Sequence, residues 1–209
     1  MSAPFLCGLV ILDLSQERIK NLSRLLKLII TGIVFEVKKK IIIMANKIFT
    51  EAFIKELEDE CNASKRCLER IPEHLFEYKP HPKSMNMGYL ALLVAEIPLW
   101  ISVTIEKGLI DFATFQHAQP TTNQELMEHF ENNFEGAIVA LQNCTDEELD
   151  APFVLQANGK ELLRQSKKES VASTINHWVH HRGQLTVYMR LSDIAVPSIY
   201  GPSADEKTF

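Results

Sequence analysis

The sequence predicts an all-α fold, a four-helix bundle, on three observations. Four long stretches repeat apolar residues at three-to-four spacing with charges between them. Capping boxes of the Thr-x-x-Glu type mark helix starts. No segment alternates apolar and polar residues convincingly enough to demand a sheet. At 209 residues, 46% hydrophobic and 23% charged, the chain can bury one substantial core, and a second domain is not required.

Residues 1–43 stand apart. They carry seven Lys or Arg against three Asp or Glu, a net of +4, whereas the remainder sums to −9. The break coincides with Met44, which opens "MANKIFTEAFIKELEDE" as the natural start of a folded domain over 44–209. Uncharged apolar runs in 1–43 such as "LIITGIVF" are far shorter than the ~20 residues of a membrane span, so no transmembrane span is expected. Charges interrupt the apolar positions, and a secretory signal is not expected either. A membrane-surface segment, an extra docking helix and translated sequence upstream of the true start all suit this extension, and the last is the favoured reading.

The first bundle helix places Phe49, Phe53, Leu57, Cys61 and Leu68 on one face. "PEHLFEYKPHPKSMNMG" then breaks the chain with three prolines and offers Ser84 as the N-cap of a second helix, "MNMGYLALLVAEIPLWISVTIEKG". There Leu90, Leu93, Val94, Ile97 and Ile101 form the apolar face, and Pro98 removes a backbone donor, which predicts a kink near 94–98. The capping box Thr122–Glu125 opens a third helix through Leu126, Phe130, Phe134, Ile138 and Leu141. "TDEE", Thr145–Glu148, starts a short turn of helix. Asn158-Gly159 suits either a small hairpin or an ordered loop. The fourth long helix covers 167–191, and a Pro/Gly-rich tail follows.

Composition excludes several functions. A net charge of −5, with no basic stretch interleaved with aromatics, gives no footprint for nucleic acid. Cys7, Cys61, Cys67 and Cys144 include no CxxC pair and no disulfide spacing, which suits reduced thiols in a cytoplasmic protein and leaves a zinc-thiolate site unsupported. No Ser-His-Asp set, phosphate-cradling glycine loop or paired-carboxylate site is legible.

The chemistry is concentrated in "HWVHHRGQLTVYMRL", which holds three of the seven histidines within five positions. Residues four apart share a helix face, so His177 and His181 can reach one ion. His180 is turned about 100° from His181 and faces elsewhere. Trp178 occupies the place of the catalytic glutamate in HExxH, which excludes that metalloprotease reading. A helical HxxxH pair is equally a polar pair without an ion. His74, His81, His117 and His129 are expected in loops or on a polar face, solvated. Arg182 is expected to pair with an acid on a neighbouring helix, and Gly183 to admit close approach of another backbone.

"NHWVHHRGQLTVYMRL", together with "SMNMGYLALLVAEIPLW" and the tail "VPSIYGPSADE", resembles the DinB/YfiT-like family over essentially all of 44–209. The resemblance implies a four-helix bundle, commonly a homodimer. It also implies a divalent metal held by three histidines, one from the second helix and two from HxxxHRGQ, here His177 and His181. The activities it implies are those of metal-dependent hydrolases and of transferases or isomerases that use low-molecular-weight thiols on small molecules. This sequence departs from the pattern at one point. Where similar proteins read LAxHxAE, this one reads LALLVAE, so Leu93 stands at the third ligand position and offers no lone pair. Glu96, three residues on, is a candidate third ligand, and with two imidazoles it favours zinc, manganese or iron; nickel is a further candidate for an all-imidazole set. A role for Glu96 as an acceptor behind a ligand is equally open. Without a third donor, the expectation is a non-catalytic bundle that serves as a dimeric binding module.

Overall fold

The computed structural model describes residues 6–45 and 47–207, with the side chains of the first helix described over 18–38. Two compact units divide the chain, Met1–Asn46 and Lys47–Phe209.

The first unit is a single helix, α1 (Leu6–Ala45). Ile19, Leu22, Leu26, Ile29, Ile30 and Ile33 recur along it every three to four residues, and each is more than half exposed. The domain start expected at Met44 falls inside the span of this helix, two residues before the division between the units.

The second unit is built on four long helices: α2 (Ile48–Leu68), α3 (Met87–Lys107), α4 (Asn123–Asn143) and α6 (Lys167–Leu191), with α5 (Asp146–Leu149) a single turn. Both α2 and α3 pack chiefly against α4 and α6, so α2 and α3 lie on a diagonal. The core between them is apolar and closed, with Leu57, Leu68, Leu90, Ile97, Phe130, Leu141, Trp178 and Leu185 at 0–1% exposure. Phe49, expected on the buried face of α2, is instead exposed and lies under the Lys168 ammonium, 4.6 Å from its ring centroid.

Helix starts follow local chemistry. Thr122, Thr145 and Ser166 each accept from the backbone of a glutamate three residues on, and that glutamate returns the bond. The cap of α3 is Asn86, whose Oδ1 accepts from Tyr89 N at 2.8 Å, two residues later than the expected Ser84. Asp146 caps α2 from a distance, accepting from Phe49 N and Thr50 N at 3.1 Å. Gly108 ends α3 in the left-handed conformation, φ +64°.

Strictly all-α is corrected by a small sheet. β1 (Leu109–Asp111) runs parallel to β2 (Pro152–Ala157), which pairs antiparallel with β3 (Lys160–Ser166). Asn158 and Gly159, at φ +53° and +73°, make the two-residue turn that matches strand twist. Asp111 ties this turn to the end of α3: its carboxylate accepts from Ala113 N at 2.9 Å, Asn158 N at 3.1 Å and the Gln156 amide at 3.0 Å.

Pro98 cannot donate to the Val94 carbonyl, which would be left unpaired in the core. The Trp178 indole takes that carbonyl at 2.8 Å, and Asn133 Nδ2 donates to the next, Ala95 O, at 3.0 Å. Polar side chains of α6 and α4 thus repair the proline's defect. α3 is the one described helix long and apolar enough to cross a membrane, and 67% of its most apolar window is buried within the bundle. Buried Arg182 pairs with Glu60 of α2 as expected, donating also to the Glu60 carbonyl at 3.0 Å and to Tyr200 Oη at 2.8 Å. Gly183 does not mark a close approach: a Cβ there meets no atom within 4 Å. The segment after α6 folds back, Glu206 accepting from Arg66, Arg70 and Ser198 N, and Asp205 from Arg190.

Candidate functional site

His177 and His181 stand one turn apart on α6, with His177 Nε2 and His181 Nε2 2.7 Å from each other. Gln184 Oε1 lies 2.8 Å from His181 Nδ1. An amide oxygen can only accept, so His181 carries its proton on Nδ1, and its Nε2 accepts the proton borne by His177 Nε2. Burial lowers the affinity of His177 for a further proton, and the neighbouring His181 and His180 add to that; His181 is likewise lowered by burial, against an opposing rise from Gln184. Both shifts favour the neutral imidazole. His180 is exposed, as its angular offset implies.

The pair has an aromatic wall. The ring of Trp100 from α3 lies 5.6 Å from His177, and Phe115, in the connection between β1 and α4, lies 5.8 Å from Trp100. Phe115 in turn meets His117 at 5.1 Å. His117 is not a solvated loop residue. Its Nδ1 donates to Glu96 Oε2 at 2.7 Å, and its ring packs edge-on against Tyr89 at 5.9 Å. Glu96 is 1% exposed, and its Oε1 has no hydrogen-bond partner among the described residues. His129, also expected in solvent, is half-buried on α4 with Nε2 unpartnered; burial lowers its proton affinity and the Glu96 charge opposes this.

The residues singled out by sequence therefore fall into two groups. His177 and His181 meet, whereas Glu96 is engaged with His117. Leu93, 7% exposed, is part of the apolar core. Among the described residues no three His, Cys, Asp or Glu side chains converge on one point as metal ligands. Two imidazoles can turn toward a shared ion if their Nε2 atoms part from 2.7 Å to about 3.3 Å and the proton on His177 moves to Nδ1, as Zn–N bonds of about 2.0–2.1 Å in a tetrahedron require. As placed, they provide two corners and not a complete three-ligand centre. The partnership of His117 with Glu96 had no signal in the sequence, because the two lie 21 residues apart across a helix end and an irregular connection.

A four-helix unit whose last helix carries an HxxxHRGQ imidazole pair is the architecture of a DinB-type bundle. The DinB family model matches residues 44–208, and the chain belongs to the DinB family. The uncharacterized protein YrdA of Bacillus subtilis (strain 168) is 28% identical over 160 residues, covering 74% of this chain and 89% of that protein. The crystal structure of the DinB-like protein YjoA from Bacillus subtilis superposes with a TM-score of 0.57 at 21% identity, covering 71% of this chain and 96% of YjoA. YfiT from Bacillus subtilis, described as a probable metal-dependent hydrolase with an unusual four-helix bundle topology, superposes at 0.53 with 10% identity, over 70% of this chain and 89% of that one. At these identities the two structures show a shared fold.

Proposed function

We propose that this chain is an enzyme acting on a small molecule at the α6 imidazole pair, as a divalent-metal-dependent hydrolase or a thiol-dependent transferase with an altered metal site. The observation that carries the reading is the pair itself: two neutral imidazoles with facing Nε2 atoms, one of them oriented by Gln184 and the other packed against Trp100. Neutral, oriented imidazoles are what a divalent ion requires of its ligands, and an ion so held supplies an activated water or thiolate near neutral pH. Zinc, nickel, manganese or iron suits imidazole donors, and a low-molecular-weight thiol is the candidate co-substrate. The chain's own groups bind and orient. Trp100 and Phe115 offer an apolar face to a small substrate, and Glu96 fixes His117 beside it. The reading includes a cytoplasmic homodimer without nucleic acid as a partner.

Metal analysis of untagged protein tests it. Stoichiometric metal in the native chain, lost in His181→Ala, is the expected result. The burial of Leu93 favours a second reading, a non-catalytic bundle that serves as a dimeric binding module. Metal that binds only after Leu93→His would establish that reading in place of the first.

A further inference from the structure

We propose that α1 docks on an anionic lipid surface, with its apolar face among the acyl chains and its basic stripe among the headgroup phosphates. The inference concerns the first unit of the chain and does not rest on the reading of the α6 site.

Charge and hydrophobicity are sorted around this helix. At about 100° per residue, Ile19, Leu22, Leu26, Ile29, Ile30 and Ile33 fall within about 100° of arc, and no charged residue of 18–38 falls among them. Lys20, Arg24, Lys27 and Lys38 gather within about 60° of arc, centred about 140° away from that face. Residues 18–38 hold these four cations and Arg18 against a single acid, Glu36. Arg18 and Glu36 border the apolar arc near the two ends of the span, where long stems carry a charge back to water. The six apolar side chains are 53–65% exposed. A contiguous apolar face of this kind marks an interaction surface.

The pattern around that face selects lipid as its occupant. Charges recur too often along 18–38 for α1 to cross a bilayer, which leaves an orientation in the plane of the interface. A helix apolar on one side and rich in lysine on the other is the form that lies there, and the cytoplasmic leaflet supplies the opposite charge. A second copy of α1 is the rival occupant, because Ile19, Leu22, Leu26, Ile29 and Ile33 also keep a seven-residue repeat. That repeat, however, puts Glu36 at its next core position. The flanking positions 18, 23, 25, 30, 32 and 37 contain no acid to pair with a partner's cations, so two such helices repel where phosphates attract. Leu25, Leu28, Phe35 and Val37 are exposed as well, and the apolar surface is broader than a two-helix seam covers.

The test is flotation of the full, untagged chain with vesicles of mixed phosphatidylglycerol and phosphatidylcholine, beside vesicles of phosphatidylcholine alone. Binding is expected to the mixed vesicles and is expected to fall as salt rises from about 0.1 M to about 1 M. Lys20→Gln/Lys27→Gln should weaken it about 25-fold, about 5-fold for each cation removed. Leu26→Asp/Ile30→Asp should abolish it while the thermal melting of the second unit stays unchanged, which shows that the variant is folded. Equal binding to phosphatidylcholine alone, or no loss in Lys20→Gln/Lys27→Gln, overturns the anionic assignment. No flotation of the native chain overturns the proposal outright. Lipid-free oligomers that Leu26→Asp/Ile30→Asp disperses, in a chain that does not float, make a second copy the occupant and overturn it too. An intact mass showing that the chain made in cells begins at Met44 does the same.

Discussion

Replacing Trp178 with Phe tests how the bundle tolerates a proline in its central helix. The substitution keeps an aromatic ring against Phe130 and Phe134, whose centroids lie 6.2 and 6.4 Å away, but removes the indole donor from the Val94 carbonyl. An unsatisfied buried carbonyl costs about 1–3 kcal/mol, and the smaller ring adds about 1 kcal/mol of lost packing, so a total of about 2–4 kcal/mol is expected. For a domain of this size that lowers Tm by roughly 6–12 °C. The informative measurement is a double-mutant cycle with Pro98→Ala, followed by urea denaturation. Alanine at 98 restores an N–H that can bond Val94 within the helix, so Trp178→Phe should cost at least about 1 kcal/mol less in that background. Equal costs in the two backgrounds, to within about 0.3 kcal/mol, would show that the carbonyl is not what Trp178 serves.

Two further outcomes follow from buried and clasped charges. Arg182→Met leaves Glu60 facing a nearly closed pocket without its partner, and should destabilise by about 3–5 kcal/mol in chemical denaturation, with Glu60→Gln/Arg182→Met recovering part of the loss. Glu206 is held down to about 2 by its bonds to Arg70, Ser198 and Arg66. Its folded pKa lies below its unfolded one, so its contribution is complete above about pH 4.5 and disappears as pH falls toward 2. Glu206→Gln should therefore flatten the acid limb of a melting curve between those values; an unchanged limb would show that the clasp is idle.

The bundle was legible because its signals are local. Three-to-four spacing and the Thr-x-x-Glu boxes at 122 and 145 fix α4, α5 and the span of α6. The cap of α3 was misplaced by two residues because Ser84 and Asn86 are equally good capping types, and only the course of the preceding turn selects Asn86. Of the sheet, the Asn158-Gly159 hairpin was one of the two readings open at that turn, but the parallel addition of β1 escaped because it is three residues long and its partner lies 45 positions away. In the site, the His177–His181 pairing follows from helical geometry alone. The engagement of Glu96 by His117 does not, since it depends on how an irregular connection crosses a helix face.

That connection has an architecture of its own. At one end Asp111 gathers backbone donors from its own turn and from the β2–β3 hairpin; at the other, Thr121 and Thr122 are bound by Glu125. Between these abutments the chain is an arch, and the His117–Glu96 bond is its fastening at midspan. Severing that fastening should raise amide hydrogen exchange across the arch while the helices beneath keep their protection. A single carboxylate on α3 would then govern how often Phe115 parts from Trp100, the ring that backs His177.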